Sequence, residues 1–149
     1  MLFRSIVEHD GDFTYSLVLP VGGFLPMNRE LYSLVHTAIA DVLRRQGYLV
    51  ALTETEDSPA SDACFQSAVE FDVRLAHLKV AGAAIRRHRR GVLLQGSIQG
   101  IKLPPGFEAD FAAHLADQVA PVALTASIKE AAERLAHEKY GSPAWNQRF

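Results

Sequence analysis

Two residues of this chain could work together on a carbonyl group: Cys64, its one cysteine, and Lys79, fifteen residues further on. A thiolate can attack an acyl thioester and take over the acyl group, which splits one transfer into two easier steps. Cys64 stands in D-A-C-F at the end of a polar loop, just before a predicted strand, where a thiol is both held and exposed. The alternative for a lone cysteine is an inert, buried, small hydrophobe. No basic residue neighbours it in sequence, so its activation has to come from the fold. Lys79 lies in L-K-V-A-G-A-A, where Ala81, Gly82, Ala83 and Ala84 would let a ligand approach the backbone closely. An ammonium held there can polarise a carbonyl or neutralise a phosphate in a dry site. It can equally be a surface lysine guarding an edge strand.

The other candidates are less specific. Arg86-Arg87-His88-Arg89-Arg90 is the one dense basic cluster, either a solvated hairpin tip or a docking patch for an acidic carrier domain or phosphate. Arg86, nearest the strand, is the member best placed to reach a ligand. His9, between Glu8 and Asp10, is either a polar pocket residue or a loop histidine without a role. The remaining histidines lack metal-ligand spacing, so no metal is expected. Neither a phosphate-binding G-x-x-x-x-G-K-[ST] loop nor a dinucleotide fingerprint is present.

These residues must be placed by a single domain. A chain of 149 residues, 48% hydrophobic and 21% charged, can close one core and is not of disordered composition. Its net charge of −2 argues against nucleic acid or an anionic membrane as partner. The apolar runs fall well short of the roughly 20 residues that span a bilayer. With no secretory leader evident and one cysteine, a reducing cytoplasmic setting is expected.

Phe13–Pro20 reads as a strand, and Leu31, Leu34, Val35, Ala38, Ile39, Val42 and Leu43 form one face of a helix starting at Asn28. Tyr48–Thr53 reads as a short strand, and Val69–Ala76, His77–Arg86 and Val92–Gln99 as three more, the last two joined by a turn at Gly91. Pro104-Pro105-Gly106 breaks the sheet before a short helix marked by Phe107, Phe111 and Leu115. A final helix is predicted with Ser127-x-x-Glu130 as capping box, Ile128, Ala131 and Leu135 inward, and Gly141 and Pro143 as its stop. The expected class is α+β: a mixed, mainly antiparallel sheet with helices packed on one side.

The E-H-D-G-D-F-T-Y-S-L strand, D-A-C-F, K-V-A-G-A-A, G-V-L-L-Q-G-S-I-Q-G and the closing K-Y-G-S-P-A-W-N together resemble the lipoate–protein ligase and octanoyltransferase family. The resemblance runs from about Ile6 to the C-terminus. It implies a fold like that of biotin protein ligase. It places Lys79 on the family's catalytic lysine, Cys64 on the acyl-accepting cysteine of the cysteine–lysine octanoyltransferases, and His9 on the histidine after the glycine-rich loop. Gly82, Ala83, Ala84, Arg86, Gln95 and Gly96 complete the implied acyl or substrate site.

Octanoate or lipoate is then the substrate group. The implied partners are acyl carrier protein and a lipoyl domain or glycine-cleavage H protein. No cofactor is required for transfer; ATP and Mg enter only for a ligase. Only Met1-Leu2-Phe3-Arg4-Ser5 precedes Ile6, where the family carries an Arg-Arg-x-x-Gly-Gly-Gly-like segment. The expectation is therefore a domain shortened at its N-terminus, with a bared sheet edge that favours a homo-oligomer. Three functions follow from the resemblance: octanoyl transfer, ATP-dependent lipoate ligation, and a non-catalytic relative that binds or oligomerises.

Overall fold

A computed structural model of the chain describes residues 11–22, 26–55 and 68–146. These fall into two compact units, 1–117 and 118–149. The first carries the sheet. β1 (Phe13–Pro20) alternates half-buried Phe13, Tyr15, Leu17 and Leu19 with exposed Thr14, Ser16, Val18 and Pro20, as a strand with one wet face must. α1 (Asn28–Arg45) begins where the Glu30 carboxylate reaches back to accept from the Met27 N–H at 2.9 Å. It ends at Gly47, whose φ of 87° would strain a side-chain-bearing residue. β2 (Val50–Leu52), β3 (Val73–Leu75), β4 (Leu78–His88) and β5 (Gly91–Ile98) follow, then α2 (Phe107–Leu115). The left-handed Gly106 starts α2.

The sheet order is β1-β5-β4-β3-β2, and every pairing among the described residues is antiparallel. The predicted mainly antiparallel α+β sheet is therefore present. α1 carries the chain from one sheet edge to the other. Leu31, Val35, Ile39, Val42 and Leu43 pack with Val92, Leu94, Ile98, Phe107 and Phe111 in one core, which places both helices on the same face of the sheet. Phe107 meets Phe13 edge-on at 5.4 Å, and Phe111 meets Tyr15 at 5.3 Å.

Several expectations are corrected. Leu34, assigned to the buried face of α1, is 51% exposed, whereas His36 is fully buried. The strand predicted over Val69–Ala76 is shorter, because Val69–Asp72 is a turn. The Asp72 N–H donates to the Val69 carbonyl at 3.0 Å, and the Asp72 carboxylate accepts from the Val69 N–H at 2.7 Å. An aspartate that bonds its own local backbone competes with the ladder. In the second unit, α3 (Ala126–Leu135) is capped by Thr125 and not by Ser127, and none of its residues is buried, so Ile128, Ala131 and Leu135 do not point into a core. A π-helical turn spans Ala136–Tyr140 and ends at Gly141, as expected, and Pro143 opens a further short helix, α4 (Pro143–Asn146).

Candidate active site

Lys79 owes its place to a bulge. Val73 pairs with Ala81 and Arg74 with Lys79, so Val80 is an extra residue on β4. Val80 and Ala81 are both buried in the core, and Lys79 and Gly82 are left together on the other face. The lysine stem lies across Gly82. A Cβ added there would stand 2.5 Å from Lys79 Cε and 2.9 Å from its Nζ. Gly82→Ala is accordingly expected to displace the ammonium and cost about 1–3 kcal/mol, read as a fall in Tm by thermal denaturation.

The ammonium meets Asp72 Oδ2 at 2.9 Å, with the two side chains 9% and 0% exposed. Oδ2 also accepts from the Val69 N–H, and Oδ1 accepts from the Tyr32 hydroxyl at 2.5 Å. Charge-assisted bonds in so dry a setting are stronger than neutral ones. The Tyr32 hydroxyl in turn accepts from the Ala83 N–H at 3.1 Å. β3 stops pairing with β4 at Val73 and Ala81, so this amide has no strand partner on that side, and Tyr32 supplies the acceptor a buried N–H requires.

One helical turn beyond Tyr32, His36 packs edge-on against its ring at 4.1 Å. His36 Nε2 lies 3.3 Å from the Tyr15 hydroxyl, and Nδ1 has no hydrogen-bond partner among the described residues. A proton on Nε2, donated to Tyr15, leaves only a lone pair orphaned, which costs less than an orphaned N–H. Tyr15 lies over Gly96, where an added Cβ would stand 2.3 Å from the ring.

Burial sets the charge states in this network. Loss of water, opposed by the Asp72 charge and reinforced by the Lys79 charge, lowers the His36 pKa to about 4. Burial first and the Asp72 charge second raise the phenols of Tyr15 and Tyr32 well above their ordinary value. All three rings are therefore neutral near pH 7.

The register divides the residues implied for the substrate site between two faces. Gly82 pairs with Ser97, Ala84 with Gln95, and Arg86 with Leu93, so Lys79, Gly82, Ala84, Gln95 and Arg86 share the outer face. Ala83 and Gly96 pair on the inner face, beneath Tyr15 and the helices. Lys79 and Arg86 stand seven residues apart on β4, about 23 Å at strand rise. Arg87 is fastened to α1 through Asn28 Oδ1 at 2.6 Å and the Pro26 carbonyl, which holds the basic hairpin in place. Cys64 and His9 lie outside the described residues.

Asp72, Tyr32 and His36 were not singled out from sequence. The available signal was an acid between the apolar Phe71 and Val73, and a Tyr and a His four residues apart on a helix. A shallow groove of about 470 Å³ on the other side of α1, bordered by Ser33, Leu34, Thr37 and Phe71, includes neither Lys79 nor Asp72. Among the described residues no group of three or more His, Cys, Asp or Glu is placed to hold a metal, and no helix is long and apolar enough to cross a membrane.

No protein-family model matches the chain. The octanoyltransferase LipM of Exiguobacterium sp. is 34% identical over 102 residues, 62% of this chain and 37% of that protein. The chain thus spans a little over a third of this curated relative's length. Among solved structures, a T. acidophilum protein assigned as a lipoate protein ligase, with lipoic acid bound, superposes with a TM-score of 0.69 at 14% identity, over 93% of this chain and 66% of that one. Lipoate-protein ligase A bound with ATP gives 0.61 at 17%, over 91% and 65%. At such identities these two likenesses speak to fold. The chain is thus similar in sequence to an octanoyltransferase over 102 residues and shares its fold with two lipoate-protein ligase structures.

Proposed function

We propose that the protein transfers an octanoyl or lipoyl group to lipoyl-carrier proteins through a thioester on Cys64, with Lys79 orienting the acyl carbonyl. The observation that carries this reading is the Lys79 ammonium, fixed by Asp72 at 2.9 Å beside the side-chain-free Gly82. Such a group supplies a preorganised positive charge where a carbonyl oxygen gains negative charge during attack. In the first step the Cys64 thiolate attacks the thioester of an acylated carrier; the carbon–sulfur bond to the carrier breaks and the carrier's thiolate leaves. In the second, a lysine amine of the acceptor attacks acyl-Cys64, the amide forms and the Cys64 thiol is released. The octanoyltransferase relative supports this route. Acyl carrier protein as donor and a lipoyl domain or glycine-cleavage H protein as acceptor are part of the proposal, as is a cytoplasmic setting.

The experiment is intact-protein mass after mixing the chain with octanoyl-acyl carrier protein. Wild type is expected to acquire a hydroxylamine-sensitive octanoyl adduct that Cys64→Ala lacks. Lys79→Ala is expected to slow its formation by about 10²–10³-fold. An ATP-dependent ligase is the second reading, favoured by the fold likeness to lipoate-protein ligase A bound with ATP. Lipoylation that requires ATP and survives Cys64→Ala would select it. A folded chain with neither activity would point to a relative that binds or oligomerises without catalysis.

A further inference from the structure

We propose that Tyr32 is a positioning residue for Lys79: its hydroxyl ends the interrupted β3–β4 ladder and from there aims the Asp72 carboxylate at the lysine ammonium. Any consequence for turnover rests on the acyl-transfer reading, but the effect on Lys79 itself does not.

A hydroxyl has one proton and two lone pairs. The Ala83 N–H donates to Tyr32 Oη at 3.1 Å, and the Tyr32 proton goes to Asp72 Oδ1 at 2.5 Å, since an ionised carboxylate can only accept. The other oxygen, Oδ2, takes the Val69 N–H and the ammonium at 2.7 and 2.9 Å. The carboxylate is thereby held at both oxygens, and its orientation follows from where Tyr32 stands. The Tyr32 ring is held in turn by His36, the His36 ring by Tyr15, and Tyr15 by the open backbone at Gly96 and by Phe111. Burial beside Asp72 raises the Tyr32 phenol, so the proton stays in place as a permanent donor. Without the hydroxyl, Oδ1 loses its donor and the Ala83 N–H loses its acceptor. The carboxylate can then swing toward that amide and draw Oδ2 away from Lys79.

The test is Tyr32→Phe in the full chain. Acylation of Lys79 by an activated ester at fixed pH, read by peptide mass spectrometry, is expected to rise about tenfold, the equivalent of one hydrogen bond to a charged group. Asp72→Asn marks loss of the Asp72 ion pair, and Tyr32→p-aminophenylalanine, which keeps a donor, is expected to return labelling to within about twofold of wild type. In the transfer assay kcat should fall about tenfold, with KM for the octanoyl carrier changed less than about twofold. Unchanged Lys79 labelling in Tyr32→Phe, where Asp72→Asn raises it, overturns the proposal. Should Tyr32→Phe not fold, amide exchange in wild type decides: Ala83 is expected to be protected about a hundredfold, and free exchange there overturns the proposal too. A labelling shift in a chain whose wild type transfers no acyl group refutes the transfer reading and upholds the positioning.

Discussion

Replacing Asp72 with alanine is expected to destabilise the fold by about 3–5 kcal/mol, the cost of removing one partner from a buried ion pair. Asp72 is wholly buried, and Lys79 is nearly so. The substitution takes the carboxylate from the ammonium and, in the same stroke, the acceptor from the Tyr32 hydroxyl and from the Val69 N–H. The last of these shapes the turn that lets β3 start at Val73. For a chain of this length the loss corresponds to a fall in Tm of roughly 10–20 °C. Asp72→Asn, which keeps one acceptor oxygen, should lose less. The double change Asp72→Leu with Lys79→Met, which removes both charges together, should recover much of the stability while leaving no charge to act on a carbonyl. Urea denaturation of the four proteins checks this. A loss under about 1 kcal/mol for Asp72→Ala would mean that the pair is solvated and does not organise the site.

The second large effect is a loss of stability in mild acid that originates at His36. In the unfolded chain the imidazole takes a proton near pH 6.5; in the fold, burial lowers that value to about 4. Between these values the unfolded state binds the extra proton and the folded state does not, so stability falls as pH drops through this window. At 1.36 kcal/mol per pH decade, the His36 contribution reaches roughly 3 kcal/mol by pH 4. The groups facing the ring are Tyr15 from β1, Tyr32 from α1, Asp72 just before β3, and Lys79 from β4. Of these, Tyr15 and Tyr32 stay neutral throughout. His36→Leu is expected to flatten the pH dependence between about 6.5 and 4 by that amount, whatever its own effect at neutral pH. Chemical denaturation at several pH values supplies the comparison. Parallel profiles for the two proteins would show that His36 is protonated in the fold and that water reaches it.

The segments whose local chemistry is self-sufficient were legible in the sequence. The alternation of Phe13, Tyr15, Leu17 and Leu19, the helical spacing from Leu31 to Leu43, the turn at Gly91 and the four-residue spacing of Phe107 and Phe111 each announce an element that forms as expected. Lys79 among small residues was legible as a candidate, open between a site lysine and an edge-strand lysine. What completes the site was not. The Asp72 carboxylate reaches Lys79 only because a bulge at Val80 turns Lys79 onto the face of Gly82. Tyr32 reaches Asp72 from forty residues away, through the gap left where β3 ends. Nor could periodicity tell that His36, not Leu34, is the buried member of its helical turn, since α1 is rotated by what the sheet presents to it. Composition and period report which residues prefer burial. Which buried polar groups meet is decided by sheet register and helix rotation, because an unpaired donor or charge in the interior must find its partner wherever the tertiary packing leaves one.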